Sequence, residues 1–469
     1  MKIEQIYTGC LAQGAYYIES NGEAAIIDPL RETDPYIHKA EEEDATIKYI
    51  FETHFHADFV SGHVDLAAKT GARIIFGPDA HPEYEIQNAE DGEEFILGDI
   101  RIKALHTPGH TLESTCYLLY DENGKEKAIF TGDTLFIGDV GRPDLAAKTK
   151  LTQEDLAGML FDSLRTKIFP LSDDIIVYPG HGAGSACGKN MSSETWDTLG
   201  HQKKSNYAMR EDMSREDFIK EVTEGILPPP QYFAKNVMLN KAGYDAIDEV
   251  IEAGNKPLEL EEFKELARKN STLILDTRNR NDFVEGFIPD SLFIGLEGTF
   301  APWVGALIDD LKRPIVFLAD EGKEEEVVIR LARVGYDNPL GYLKGGIKTW
   351  TDAGLPVEQI ECMDAEGLED ALSNGNGINL LDVRRPAEYE SQHLKNAVNK
   401  PLDFIRENMD SLDQDETYHI YCAGGYRSVI EASILKSHGF KNLVNIVGGY
   451  GALKKTNIPM SELACSSES

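Results

Sequence analysis

Cysteine is scarce in this sequence. There are six in 469 residues (Cys10, Cys116, Cys187, Cys362, Cys422 and Cys465), scattered without the paired spacing of a zinc finger or a disulfide framework. A chain of this length buries enough apolar surface to fold without such staples, so each cysteine is expected to be a free thiol, judged by its neighbours. Positive charge is scarce too. Lys and Arg number 46 against 81 Asp and Glu, a formal net charge of −35. A surface of that sign repels nucleic acid and anionic lipid, which excludes both as expected partners. No uninterrupted apolar run approaches the roughly 20 residues of a membrane span. The stretch from Met1 to Tyr7 also lacks the basic and apolar blocks of a secretory signal, so the expected location is cytoplasmic. The length suits about three domains.

Metal-capable side chains, by contrast, are concentrated. Residues 51–63 run Phe-Glu-Thr-His-Phe-His-Ala-Asp-Phe-Val-Ser-Gly-His, which places His54, His56 and Asp58 directly after the strand-like run Ile47 to Phe51. Three further clusters follow: His106-Thr-Pro-Gly-His110, Thr131-Gly-Asp-Thr-Leu-Phe136 and Tyr178-Pro-Gly-His-Gly182. Each comes after another β-like run, Ile100 to Leu105, Lys127 to Phe130 and Ile175 to Tyr178. Strand ends are where α/β folds collect chemistry. One histidine in a polar turn is ordinary, but His110, Asp133 and His181 converging with the first loop points to a metal centre.

The order His-x-His-x-Asp, Thr-Pro-Gly-His, Gly-Asp-Thr-Leu-Phe and Pro-Gly-His resembles the metallo-β-lactamase superfamily over about the first half of the chain. That resemblance implies an αββα sandwich. In the superfamily the first motif usually continues with a histidine for a second metal, where this chain has Phe59. A phenyl ring ligates nothing, which argues for one metal, with Asp58 and His181 orienting ligands or water by hydrogen bonds. The stretch Ala57 to His63 resembles persulfide dioxygenases more than thioester hydrolases. In those dioxygenases a single iron is held by residues that map to His54, His110 and Asp133. Two imidazoles and a carboxylate also fit the facial triad of non-haem Fe(II) oxygenases. Spacing alone admits His56 as a third imidazole ligand; our reading places it behind the ligands.

The resemblance further implies one Fe(II) per chain, O₂-dependent oxidation of a low-molecular-weight persulfide to sulfite, and a homo-oligomer. The alternative is a zinc thioester hydrolase of the hydroxyacylglutathione hydrolase type. Arg142, in Gly138 to Asp144, either binds the carboxylate of a thiol carrier or fixes its own loop. The glycine-rich stretch Gly182 to Lys189 lacks phosphate-loop spacing, and its Cys187 either meets a persulfide or is a buried, inert thiol.

After Pro257 an internal repeat begins. Leu273-Ile-Leu-Asp-Thr-Arg278 matches Asn379-Leu-Leu-Asp-Val-Arg384, and Leu343-Lys-Gly-Gly346 matches Ile446-Val-Gly-Gly449. Leu-Asp-x-Arg, the late Gly-Gly and, in the first copy, the ending Trp350 to Val357 resemble rhodanese domains. The second copy carries Cys422-Ala-Gly-Gly-Tyr-Arg-Ser428 between a strand and a helix. Backbone N–H groups of such a loop cradle an anion, and a helix N-terminus with Arg427 favours a thiolate. Cys422 is therefore the candidate sulfur carrier, with Gly424, Gly425 and Ser428 around its substrate. Four residues separate Cys422 from Arg427, against five in a phosphatase loop, a ring suited to sulfur. Exchange among persulfide, sulfite and thiosulfate is the expected chemistry. The first copy has Leu318 at the matching position and cannot carry sulfur, which makes it a spacer or an interaction surface. A further reading makes both copies a docking platform.

The expected fold class is α/β, a metallo-β-lactamase αββα sandwich followed by two rhodanese-like α/β domains. The expected domains are 1–255, 256–358 and 359–461, with a flexible tail over 462–469. Local expectations include strands at Ala15 to Glu19 and Glu23 to Asp28 around Asn21-Gly22, and a helix at Gly62 to Thr70 ended by Gly71.

Overall fold

The computed structural model describes residues 1–145, 151–269, 271–375 and 377–462. The expected tail, with Cys465, lies outside the described residues from 463 onward. The chain divides into two compact units, one made of Met1–Glu249 with Ile329–Tyr336, the other starting at Val250 and containing the rest.

In the first unit, alternating side chains make two faces of each of two sheets. Strands Gln13–Ser20 and Glu23–Ile27 form a hairpin around Asn21 and Gly22, both at positive φ (52° and 80°), the twist-matched two-residue turn. With Lys2–Thr8, Thr46–Phe51, Arg73–Phe76 and Gln87–Asn88 they complete a six-stranded sheet. The other sheet holds Glu94–Leu97, Ile100–His106, Thr115–Tyr120, Glu126–Gly132, Ile176–Pro179 and Asp197–Thr198. Tyr16, Ile18, Ile27 and Phe51 of the first sheet pack with Ile102, Tyr117, Leu119 and Phe130 of the second. The intervening Tyr17, Ala24, Ile26 and Ile50 cluster instead with Tyr36, Ala40 and Leu66 of helices Asp34–Glu42 and His63–Thr70. Beyond the second sheet, Leu105, Leu118 and Ile129 meet Ala157 and Leu160 of helix Gln153–Ser163. Each fully buried side chain of this kind stabilises by about 1.5–3 kcal/mol, so period-two patterning settles the four layers, helix, sheet, sheet, helix. Helix His63–Thr70 ends at Gly71, whose φ of 73° supplies the left-handed cap.

The second unit repeats one design. Strands Pro257–Leu258, Pro339–Leu343, Ile315–Leu318, Leu273–Asp276 and Leu292–Phe293 stand side by side in that order, all parallel. Glu361–Met363, Leu443–Ile446, Tyr418–Tyr421, Asn379–Asp382 and Val398–Asn399 form a second sheet of the same order. The Leu-Asp-x-Arg motif has one geometry in both. Arg278 donates from Nη2 to Asp276 at 2.6 Å and to the Gly286 carbonyl at 2.9 Å; Arg384 does so to Asp382 at 2.6 Å and to the Gln392 carbonyl at 2.8 Å. No helix among the described residues is long and apolar enough to cross a membrane.

Candidate metal centre and candidate thiol site

Strand register delivers the metal-capable side chains to one place. Glu126–Gly132 and Ile176–Pro179 run parallel with Gly132 opposite Pro179, so Asp133 and His181 leave side by side. Thr46–Phe51 runs parallel to Glu23–Ile27 with Phe51 opposite Ile27, which sets Asp28 beside the loop that begins at Glu52. Ile100–His106 leads into the turn bearing His110.

His54, His110 and Asp133 are buried and each offers a ligand atom, all within 4.8 Å of one another. Asp133 Oδ2 lies 3.4 Å from His110 Nε2 and 3.9 Å from His54 Nε2. Neither His110 Nε2 nor Asp133 Oδ2 has a hydrogen-bond partner among the described residues. Buried polar atoms that face one another unpartnered are costly, and a divalent cation between them removes that cost, so the donor set fits a metal.

The atoms behind the donors fix how they point. His110 Nδ1 lies 2.9 Å from the Arg142 carbonyl and donates to it, which leaves Nε2 with its lone pair. Thr53 Oγ1 donates to Asp28 Oδ2 at 2.8 Å and accepts from His54 Nδ1 at 3.0 Å, with the same result for His54. Burial, then the charge of His56, pushes His54 well below the ordinary imidazole range, and burial lowers His110. Both are thereby neutral, the form that ligates. Burial by itself would raise Asp133, but the charge and hydrogen bond of His181 overcome it and hold the carboxylate well below its usual range. Gly180 has to be glycine here, since a Cβ would sit 2.7 Å from Asp133 Oδ1.

His181 bridges two carboxylates, with Nδ1 2.9 Å from Asp133 Oδ1 and Nε2 2.8 Å from Asp58 Oδ2. Burial opposes its protonation, yet Asp133 and Asp58 together lift it to about 10. His56 turns the other way, its Nε2 3.2 Å from Asp28 Oδ1 and 3.4 Å from Glu52 Oε2. Burial again opposes, and Asp28 and Glu52 raise it well above the ordinary value. The Phe59 ring is fully buried, 4.3 Å from the His56 ring and 6.4 Å from that of His181.

The Metallo-beta-lactamase superfamily pattern matches residues 8–181, and the Rhodanese-like domain pattern matches twice, over 259–353 and 364–456. Hydroxyacylglutathione hydrolase GloC of Haemophilus influenzae is 30% identical over 228 residues, 44% of this chain and 97% of that protein. The chain belongs to the metallo-beta-lactamase superfamily. A metallo-beta-lactamase crystal structure from Staphylococcus aureus is 31% identical with a TM-score of 0.64, covering 73% of this chain and 98% of that one. The crystal structure of ETHE1 from Myxococcus xanthus is 28% identical with a TM-score of 0.44, covering 52% and 99%.

In this superfamily member two side chains that the sequence left between alternatives can be placed. Arg142 directs its guanidinium at neighbouring segments of its own unit. It donates to both carboxylate oxygens of Asp144 (2.6 and 2.8 Å) and to the carbonyls of Ala186 (3.1 Å) and Leu227 (2.6 Å), the geometry of a loop-fixing arginine whose own carbonyl orients His110. Cys187 does come near the centre, in a group with Asp58 and His181 whose ligand atoms lie within 4.8 Å of one another. Burial, then Asp58 and Asp133, pushes its thiol well above the ordinary range, so it stays protonated. Two buried carboxylates beside the centre escaped the sequence reading. Asp28 accepts the Thr53 N–H at 2.7 Å as well as its hydroxyl, and Glu52 meets both His56 and His63, the latter with Nδ1 3.1 Å from Glu52 Oε1. The one signal for Asp28 was an acidic residue closing the apolar run Ala24 to Ile27.

In the second unit, Cys422 is buried at the end of strand Tyr418–Tyr421. Its Sγ accepts the Gly425 N–H at 3.0 Å and lies 3.7 Å from Ser428 Oγ, which donates to Asn445 Oδ1 at 2.7 Å. The Arg427 fork is occupied by Glu388, at 2.7 and 2.8 Å, so the donor found on the sulfur is the Gly425 amide. The Cys422 carbonyl accepts from Tyr450 N–H at 2.7 Å, and a Cβ on Gly449 (φ 54°) would reach within 2.3 Å of that oxygen, which explains the late Gly-Gly. In the first copy the register moves the expected position by one: Leu318 pairs with Asp276 as Tyr421 pairs with Asp382, so Ala319, which has no thiol either, stands where the second copy has Cys422. All five described cysteines are free thiols.

Proposed function

We propose that the first unit is a mononuclear Fe(II) persulfide dioxygenase and that Cys422 exchanges sulfane sulfur with its substrate or product. The observation that carries the proposal is Phe59, a buried phenyl ring beside His56 and His181 where a second metal would need an imidazole. That leaves His54, His110 and Asp133 as a two-imidazole, one-carboxylate set. A bound Fe(II) supplies the oxygen and redox chemistry and keeps open positions beside such a set.

The chain's own residues have separate tasks. Thr53 and the Arg142 carbonyl hold the two imidazoles in the ligating tautomer. His181, charged between Asp58 and Asp133, fixes the carboxylate. Phe59 and Phe136, both fully buried, keep water from the centre. The overall change is R–S–SH + O₂ + H₂O → R–SH + sulfite + two protons. Joining both sites in one chain raises their mutual effective concentration.

A second reading is favoured by the similarity to hydroxyacylglutathione hydrolase GloC across nearly all of that protein. In it, a zinc centre hydrolyses a thioester. Oxygen uptake by the iron-loaded protein on addition of a low-molecular-weight persulfide separates the two. Uptake that disappears in His110→Ala supports the dioxygenase. Thioester cleavage by the zinc form, without oxygen and without uptake on any persulfide, replaces it with the hydrolase.

A further inference from the structure

The rhodanese-like copy that lacks the cysteine touches the loop of the copy that has it. Tyr426 Oη donates to the Gly295 carbonyl at 2.7 Å, the Phe293 N–H donates to Ser433 Oγ at 3.1 Å, and Arg280 Nη1 donates to the Gly424 carbonyl at 3.0 Å. The third contact differs in kind. The Gly424 C=O belongs to the same peptide unit as the Gly425 N–H, and that N–H points at Cys422 Sγ, 3.0 Å away. A trans peptide aims its C=O and N–H in opposite directions, so Arg280 grips the outer end of the dipole whose inner end faces the sulfur.

This peptide has little else to hold it. It lies between two glycines, Gly425 has φ +90°, and a Cβ on Gly424 would find no described atom within 4 Å. A peptide between two glycines rotates with the least steric resistance of any. Arg280 also lines a small cleft of about 50 Å³ with Gly425, Gly448, Cys362 and Asn445, and is the one charged side chain among the described residues lining it.

We propose that Arg280, supplied by the cysteine-lacking copy, is a positioning residue for Cys422: by binding the Gly424 carbonyl it locks and polarises the peptide whose N–H stabilises the sulfur anion. The inference rests on the reading of Cys422 as a sulfur carrier. In that reaction the Cys422 thiolate attacks the outer sulfur of thiosulfate, the S–S bond to the sulfonate breaks, and sulfite leaves with the electron pair. The cysteine is left as Cys–S–S⁻, with one negative charge on the chain before and after. Both anions need the Gly425 N–H in place, and cooperative polarisation along the guanidinium–peptide–sulfur chain strengthens that bond.

The test uses the full-length protein with two probes. One is thiosulfate with cyanide as acceptor. The other is neutral iodoacetamide, with alkylation followed at the Cys422 peptide by mass spectrometry. Arg280→Ala is expected to slow both, with kcat/KM for thiosulfate and the alkylation rate each falling about tenfold, the worth of one charge-assisted hydrogen bond. Arg280→Lys, which keeps a charged donor, is expected to recover a large part of both. Arg280 is exposed, so the fold should tolerate alanine; Arg280→Met, which keeps the stem, replaces it otherwise. Unchanged rates with both probes overturn the proposal. So does a loss confined to thiosulfate, which would make Arg280 an anion contact and not a positioning group. Wild-type protein that takes no sulfur at Cys422 from thiosulfate refutes the sulfur-carrier reading instead, and the alkylation comparison then decides on Arg280 alone.

Discussion

Replacing Phe59 with histidine probes the metal count directly. The native ring is fully buried against His56 and faces His181. Without metal, Phe59→His forfeits roughly 1–2 kcal/mol of apolar burial. It also buries an imidazole beside two charged histidines, for roughly 1–3 kcal/mol more. A loss of about 2–5 kcal/mol in a unit of this size lowers Tm by roughly 4–20 °C. The new imidazole would stand next to Asp58 and His181, which lie 2.8 Å apart and already resemble half of a second site. The variant is therefore expected to bind two metals per chain where the native protein binds one. Metal at about 100 times its Kd should return about 2.7 kcal/mol, most of the loss. Metal-to-protein ratios by mass spectrometry, with thermal melts in chelator and in excess metal, read both effects. Two metals per native chain would refute the reasoning from Phe59. So would a variant that still binds one and melts equally low in chelator and in excess metal.

Thr53→Val keeps the shape of the residue behind His54 but removes the acceptor for its Nδ1–H; metal affinity, measured by chelator competition, is expected to fall about 10- to 100-fold with the fold retained. Glu431, on helix Arg427–Ser437, is fully buried with neither carboxylate oxygen hydrogen-bonded among the described residues, and burial raises it well above the ordinary range. Its unfolded form ionises from about pH 4.5 upward while the folded form stays protonated. Stability from this group is thus complete below that pH and declines by about 1.4 kcal/mol per pH unit above it, until the folded carboxyl ionises. Glu431→Gln should remove that slope, and its denaturation midpoint should exceed the native one by more at pH 7 than at pH 5; an equal difference at both counts against the assignment.

The sequence by itself determined the kinds of donor, their order and the strands they follow. His54, His110 and Asp133 were legible because each sits directly after a β-like run, and strand ends are where such runs must turn. Phe59 and the thiol missing from the first copy were legible because a side chain without a lone pair or a thiol cannot do the chemistry at its position, whatever the fold; only the strand register showed that Ala319, not Leu318, holds that position. The repeat, with its Asp276–Arg278 and Asp382–Arg384 pairs, was visible because it is local, two residues apart on one strand end. Tertiary structure decided direction and partnership. His54 and His56 are two residues apart, yet one faces Asp133 and the other faces Asp28 and Glu52, because parallel register sets Asp28 beside that loop. Nothing near Arg142 in the sequence announced the Ala186 and Leu227 carbonyls that its guanidinium meets in the fold. Arg280 gave no local sign at all, since the carbonyl it holds lies 144 residues further along the chain. Chemistry written into a side chain survives in the sequence; the geometry that directs it depends on contacts between distant segments, which only the folded chain brings together.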